Sequence, residues 1–159
     1  MILGMSTALF TKLHVLISLI GIASGMAVLL GMLSKKRFPI LTAVFLITTA
    51  LTSITGFLFP NKTITPGIVI GILSMIVLLL ATFARYGGHL NGGWRGTYVI
   101  TSNIALYFNV FVLFAQLFAK VPELKQFAPT QQSPGFAFTQ LAILVLFIAV
   151  TFRAYRRFE

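Results

Sequence analysis

Hydrophobic and polar positions follow one another in long blocks along this chain. Five apolar runs stand between short polar breaks: Leu13 to Leu33, Phe38 to Phe59, Pro66 to Tyr86, Thr97 to Ala119 and Gly135 to Phe152. Each approaches the ~20 residues that a helix needs to cross a bilayer. The fifth is the shortest. The connections are short, which favours sequential antiparallel neighbours. The pattern predicts an all-α integral membrane protein. It consists of five transmembrane helices in an antiparallel bundle, as a single domain over residues 1–159.

The fourth run organises the others. At ~1.5 Å per residue it reaches ~34 Å, enough to span. It is also the most polar of the five. Ser102, Asn109 and Gln116 recur every seven residues, with Ala105, Val112 and Ala119 between them. That spacing keeps a small and polar stripe on one side of a helix. Leu106, Phe108, Phe111, Phe114 and Phe118 occupy the other side, suited to lipid or to bulky packing. Lipid cannot satisfy an amide, so the stripe is expected to face protein or a cavity.

Depth follows from counting outward from each run's midpoint. Asn109 falls next to the midplane, and Ser24, Thr48, Thr49 and Ser74 fall near theirs. The Asn109 amide is therefore expected to bond Thr48, Thr49 or Ser24. A second layer lies ~12 Å higher, at ~1.5 Å per residue. It holds Gln116, His14, Thr55 and Gln140, which together form a candidate pocket open to the outside. The plainer reading puts His14 at the interface beside Lys12.

Small residues mark close-packing faces: Gly21-x-x-x-Gly25, Ala27-x-x-x-Gly31, and Gly67-x-x-x-Gly71 followed by Ser74. Such pairs let helix backbones approach, within the bundle or at an oligomer interface. The second run carries Thr42, Thr48, Thr49, Thr52 and Thr55. Hydroxyls of this kind usually bond back to their own helix, though some here could face Asn109. Thr65 and Pro66 suit the N-cap and first position of the third helix, after a tight turn at Pro60-Asn61-Lys62.

Composition narrows the class further. Hydrophobic residues form 58% of the chain and charged residues 9%, against about 25% charge in soluble domains. The net charge of +10 does not point to nucleic acid, because the basic residues sit in short loops. Their expected partners are anionic lipid head groups. The absence of cysteine excludes disulfides, thiol catalysis and thiolate metal sites. The first run is too long for a signal peptide and reads as the first span.

Charge also sets direction. With five spans, Lys35, Lys36, Arg37, Arg85, Arg95, Arg153, Arg156 and Arg157 share one side, and Lys12, Lys62, Lys120 and Lys125 share the other. The positive-inside rule then puts the N-terminus outside and the C-terminus in the cytoplasm.

Two loops carry candidate chemistry. Arg85 to Gly96 reads RYGGHLNGGWRG, a glycine-rich stretch around His89 and between Arg85 and Arg95. One reading is a flexible anion cradle, although it lacks the spacing of a phosphate loop. The favoured reading has Tyr86, Trp94 and Tyr98 as interface anchors and the arginines on lipid phosphates. The loop KVPELKQFAPTQQSPGF lies along the surface or caps an opening.

WRGTYVITSNIALYFNVFVLFAQLF and KVPELKQFAPTQQSPGF together resemble a group of small, uncharacterised bacterial inner-membrane proteins. The resemblance covers the last part of the chain. It implies a bacterial source, a multi-pass place in the inner membrane, and no particular activity. The five-span length is also similar to that of the translocator (tryptophan-rich sensory) proteins. Those are rich in tryptophan and this chain has only Trp94, so their ligand site is not carried over.

No cofactor is expected. His14 and His89 fall on opposite sides of the membrane and cannot share a haem iron. Glu123 and Glu159 are similarly apart, which leaves no carboxylate pair for a metal or for acid–base work. No span contains an acidic residue. The leading reading is a non-enzymatic membrane protein that self-associates or joins a larger membrane complex. The second is a binder or conduit for a small neutral or amphipathic molecule. The third is a lipid-modifying enzyme using Arg85, His89 and Arg95.

The orientation is directly testable. A cysteine introduced at Gly92 should resist an impermeant thiol reagent in intact cells. One placed between Lys120 and Pro134 should react. The reverse pattern would invert the topology.

Overall fold

The computed structural model describes residues 1–60 and 63–159, so the turn expected at Asn61 and Lys62 lies outside the described residues. The chain is helical, and the described residues form no β-strand. Its helices are α1 (Thr7–Leu33), α2 (Pro39–Phe57), α3 (Pro66–Thr82), α4 (Gly93–Lys120), a short α5 (Pro122–Phe127) and α6 (Pro134–Arg157). A π-helical turn, Phe83–Gly87, extends α3. Five of these elements are long and apolar enough to cross a membrane.

Local chemistry sets the helix starts. Ser6 caps α1, its hydroxyl accepting from the Leu9 amide at 3.3 Å. Thr65 caps α3 in the same way, accepting from Ile68, and Pro66 follows at the first turn. Proline also opens α2, α5 and α6, where its missing N–H costs nothing. Helix α4 ends where Val121 turns extended before Pro122.

Helix α4 packs against α1, α3 and α6, and bonds α2 through side chains. Half of its apolar window is buried (50%), against 17% for α6, so α4 is the hub and α6 the least covered helix. The main core joins Val28 and Met32 of α1, Phe45 of α2, Leu78 and Ala81 of α3, Tyr98 and Leu106 of α4, and Ala154 of α6. A second core of Phe118, Ala128 and Phe136 lies where α5 folds back on the end of α4.

Glycines bring the helices together. A Cβ on Gly21 would stand 3.1 Å from Thr48 Oγ1 and 3.3 Å from Thr49 Oγ1. One on Gly25 would stand 2.7 Å from Leu106 and 2.8 Å from Phe45. This face of α1 is therefore occupied by α2 and α4 of the same chain and is closed to a second copy. Gly71 receives Phe57 of α2, with 2.7 Å to its would-be Cβ. Gly67 needs correction as a packing position. It is exposed, and its nearest neighbour is Thr65 of its own first turn, because α2 has already ended at that level.

Gly25→Ala should lower stability by about 1–3 kcal/mol, since Leu106 and Phe45 must shift to admit one methyl. Gly25→Leu should prevent folding. Gly67→Ala, in open space, should leave the unfolding midpoint unchanged or slightly raised. Midpoints in detergent compare the three, and a Gly25→Ala protein as stable as the parent would refute the close crossing.

Candidate functional site

The polar stripe of α4 begins inside the bundle. Ser102 is buried and donates to the carbonyls of Tyr98 at 2.5 Å and Val99 at 3.3 Å. Asn109, one heptad on, donates through Nδ2 to Thr49 Oγ1 at 3.0 Å. Both residues are buried, and the bond ties α4 to α2. Ser24 and Thr48, the other candidate partners, donate to carbonyls of their own helices at 2.7 Å.

Gln116 departs from the stripe and is exposed. A heptad falls short of two helical turns by ~20°, so the line drifts by ~40° between Ser102 and Gln116. Packing decides the rest. Phe118 is buried against Phe127 and Phe136, and it lies ~200° around the helix from Gln116 at ~100° per residue. Covering Phe118 with α5 and α6 turns Gln116 outward. Of the two roles expected for the bulky side, lipid contact or packing, Leu106 and Phe118 take the second and lie in the core.

The other members of the proposed outer pocket do not converge either. His14 Nδ1 lies 2.7 Å from Thr55 Oγ1, between α1 and α2, with its ring edge-on to Phe59 at 5.3 Å. Thr55 directs its hydroxyl at the Leu51 carbonyl, 2.7 Å away. Its single hydrogen is then used, so His14 Nδ1 is the donor in this pair. That geometry does not make the imidazole a base toward the threonine. Gln140 is buried between α6 and α4, where Nε2 donates to the Phe111 carbonyl at 3.1 Å and Oε1 has no partner among the described residues. His14–Thr55, Gln140 and Gln116 occupy three separate places in the bundle, so the four-residue pocket is corrected to one pair and two single residues.

The Arg85–Gly96 loop is held by its own backbone. Backbone bonds run from Gly88 to Phe83, Leu90 to Ala84, Asn91 to Gly88 and Trp94 to Asn91, at 2.8–3.1 Å. His89, Leu90 and Gly92 have φ of 50°, 59° and 52°, a left-handed path that turns the chain sharply into α4. His89 is exposed. Arg95 donates to the carbonyls of Tyr155 and Phe158, and stacks on the Tyr155 ring at 5.3 Å. Tyr98 is 1% exposed, a core residue where an interface anchor was expected. Lys35 pairs with Glu159 outside the spans, and this hydrogen bond holds the Glu159 carboxyl below the usual carboxylate range.

Two features escape sequence reasoning. Asn103 is buried and donates to the Val99 carbonyl at 2.8 Å. It borders a groove of about 460 Å³ between α4 and α6, lined also by Ile100, Tyr107, Phe147, Thr151 and Tyr155. Asn103 and Tyr107 stand four residues apart, a helical spacing that could have flagged the groove. The second feature is a small cavity bordered by Arg85, Thr42 and Tyr98. No local spacing signals it, because its walls come from separate helices.

No protein-family model matches this chain, and no curated protein or solved structure matches it.

The Asn109–Thr49 bond should show as a coupling energy. Asn109→Leu and Thr49→Val should each be mildly destabilising. A double-mutant cycle in detergent should return about 0.6 kcal/mol, the usual size of such bonds between membrane helices. A coupling of zero would mean that this bond does not lock the two helices.

Proposed function

We propose that this chain is a non-enzymatic, multi-pass protein of the bacterial inner membrane that self-associates or joins a larger membrane complex through its α4–α6 face. In this reading sequential helices alternate in direction, with the N-terminus outside and the C-terminus inside. End-to-end pairings support the alternation. His14, early in α1, meets Thr55, late in α2, while Arg157, late in α6, donates to the carbonyl of Leu33, the last residue of α1. The basic side chains then gather where cytoplasmic lipid head groups would meet them.

The observation that carries the proposal is the uncovered α4–α6 groove. Helix α6 has the smallest buried share of the five, and its neighbour α4 has the largest. Between them lies an apolar groove that keeps Asn103, Tyr107 and Thr151 at its wall. Asn103 is already bonded to the Val99 carbonyl, whereas lipid cannot bond the Tyr107 and Thr151 hydroxyls and a facing helix with small or polar residues can. Gly21, Gly25 and Gly71 are used inside the bundle and lend self-association no support. The lipid-modifying reading gains little from Arg95, whose Nη1 is held by two carbonyls. The binder reading shares the groove, since an amphipathic molecule would also fit its apolar walls and few polar groups.

Because the chain has no cysteine, a single introduced one reports contacts cleanly. Ile148→Cys on α6 (61% exposed) should form a disulfide with a second copy, or with another membrane subunit, under mild oxidation in native membranes. Leu79→Cys on α3 (67% exposed) should remain monomeric. Equal cross-linking at both positions would indicate random collision and remove the α4–α6 interface. A monomer that co-purifies with a bound small molecule would favour the binder.

A further inference from the structure

A buried hydrogen-bond donor without an acceptor among the described residues lies at one end of the bundle. There the α1–α2 connection, the end of α3 and the first turns of α4 enclose a cavity of about 10 Å³. Lys36, Arg37, Thr42, Arg85, Tyr98 and Phe158 border it. Such a volume holds about one water or one oxygen atom.

Arg85 supplies the first unused donor. Its Nε is buried and has no hydrogen-bond partner among the described residues. The guanidinium lies over the rings of Tyr98 at 5.3 Å and Tyr86 at 5.7 Å, which hold its plane. Thr42 supplies the second. Thr48, Thr52 and Thr55 direct their hydroxyls at carbonyls four residues back. Thr42 instead lies 3.4 Å from the Tyr98 hydroxyl, and both residues are buried. Two hydroxyls carry two hydrogens, and their mutual contact uses one. The other is left for the cavity.

The surrounding charge has one sign. Arg37 lies over the Phe158 ring at 5.6 Å and donates through Nε and Nη2 to the Glu159 backbone oxygen at 3.0 and 2.7 Å, and Lys36 is exposed beside it. Among the described residues no acidic side chain borders the cavity. The nearby Glu159 carboxylate is paired with Lys35. A buried guanidinium N–H with no acceptor is costly. A cavity bordered by two hydroxyls and by further cations would take an oxygen acceptor there.

We propose that this cavity is the seat of a phosphate group. One phosphate oxygen enters it and accepts from Arg85 Nε and from the Thr42–Tyr98 hydroxyl pair. The remaining oxygens stay at the mouth, against Lys36, with Arg37, already bonded to Glu159, adding its charge. The cavity's size admits one oxygen and keeps the rest of the group outside, as suits a headgroup phosphate or free phosphate. The site does not depend on the self-association reading, since its walls come from one chain.

The test uses the full chain, delipidated in a neutral detergent. Thermal unfolding is followed with added phosphatidylglycerol or inorganic phosphate, and native mass spectrometry counts retained lipid. Stabilisation by phosphatidylglycerol alone supports the site with a lipid source. Stabilisation by millimolar inorganic phosphate supports it with a free source. Arg85→Met should bind whichever ligand acts roughly tenfold more weakly, through loss of a charge-assisted bond. Thr42→Val and Lys36→Gln should weaken it too, and they read the same site if Arg85→Met does not fold. Arg153→Gln, a charge removed from the same end but off the cavity, should bind as the parent does. Failure of both ligands to stabilise the parent would overturn the proposal. So would an Arg153→Gln loss equal to that of the cavity variants, which would show only diffuse surface attraction.

Discussion

The close approach of α1, α2 and α4 at Gly21 and Gly25 is the contact on which the rest of the bundle depends. Lipid tails are as apolar as leucine, so helices in a bilayer gain little from hiding hydrophobic surface from each other. Close contact and interhelical bonds must hold them instead. Without a Cβ at Gly21, the hydroxyls of Thr48 and Thr49 come up against the α1 backbone. Thr49 is then in place to accept from Asn109 of α4. One turn along, Phe45 and Leu106 close over Gly25 from α2 and α4. Two helices are thereby seated on the third, with a polar bond between two buried groups. The device recurs outward, with Phe57 of α2 over Gly71 of α3 and Tyr155 of α6 over Gly96 of α4.

The two ends of the bundle are built differently. At one end arginines fasten chain segments that are distant in sequence: Arg157 to Leu33, Arg37 to Glu159, and Arg95 to Tyr155 and Phe158. Each acceptor is a backbone carbonyl, the group that helix ends leave unpaired. The rigid fork of arginine suits this better than the ammonium of lysine. The opposite end has no arginine among its described residues. Aromatic contacts do the corresponding work there: Phe118 with Phe127 and Phe136, and Phe59 with Phe10 and His14. The charge asymmetry of the chain is thus also an asymmetry in how the ends are closed.

The spans were legible in the sequence because the apolar length needed to cross a membrane is a local property. Thr65 and Pro66 were legible as a helix start for the same reason. The Asn109 amide was legible as a buried group in need of a hydroxyl, because depth along a helix follows from counting and a mid-span amide must find a partner. These inferences need only one helix at a time, together with the rule that polar groups cannot be left to lipid.

Rotation about a helix axis is a different matter. Whether Gln116 or Phe118 turns inward is decided by α5 and α6, which cover the aromatic side. Gly67 reads like Gly71, yet only Gly71 has a helix against it, because α2 ends below the other. Tyr98 looks like an interface anchor until α2 and the Arg85 turn close around it. The cavity at Arg85 draws its walls from positions as far apart as Lys36 and Phe158. The sequence by itself therefore determined the spans, their caps and the one mid-span amide that required a partner. Tertiary packing alone decided which faces turned inward and which donors were left without acceptors, because both depend on contacts between helices distant along the chain.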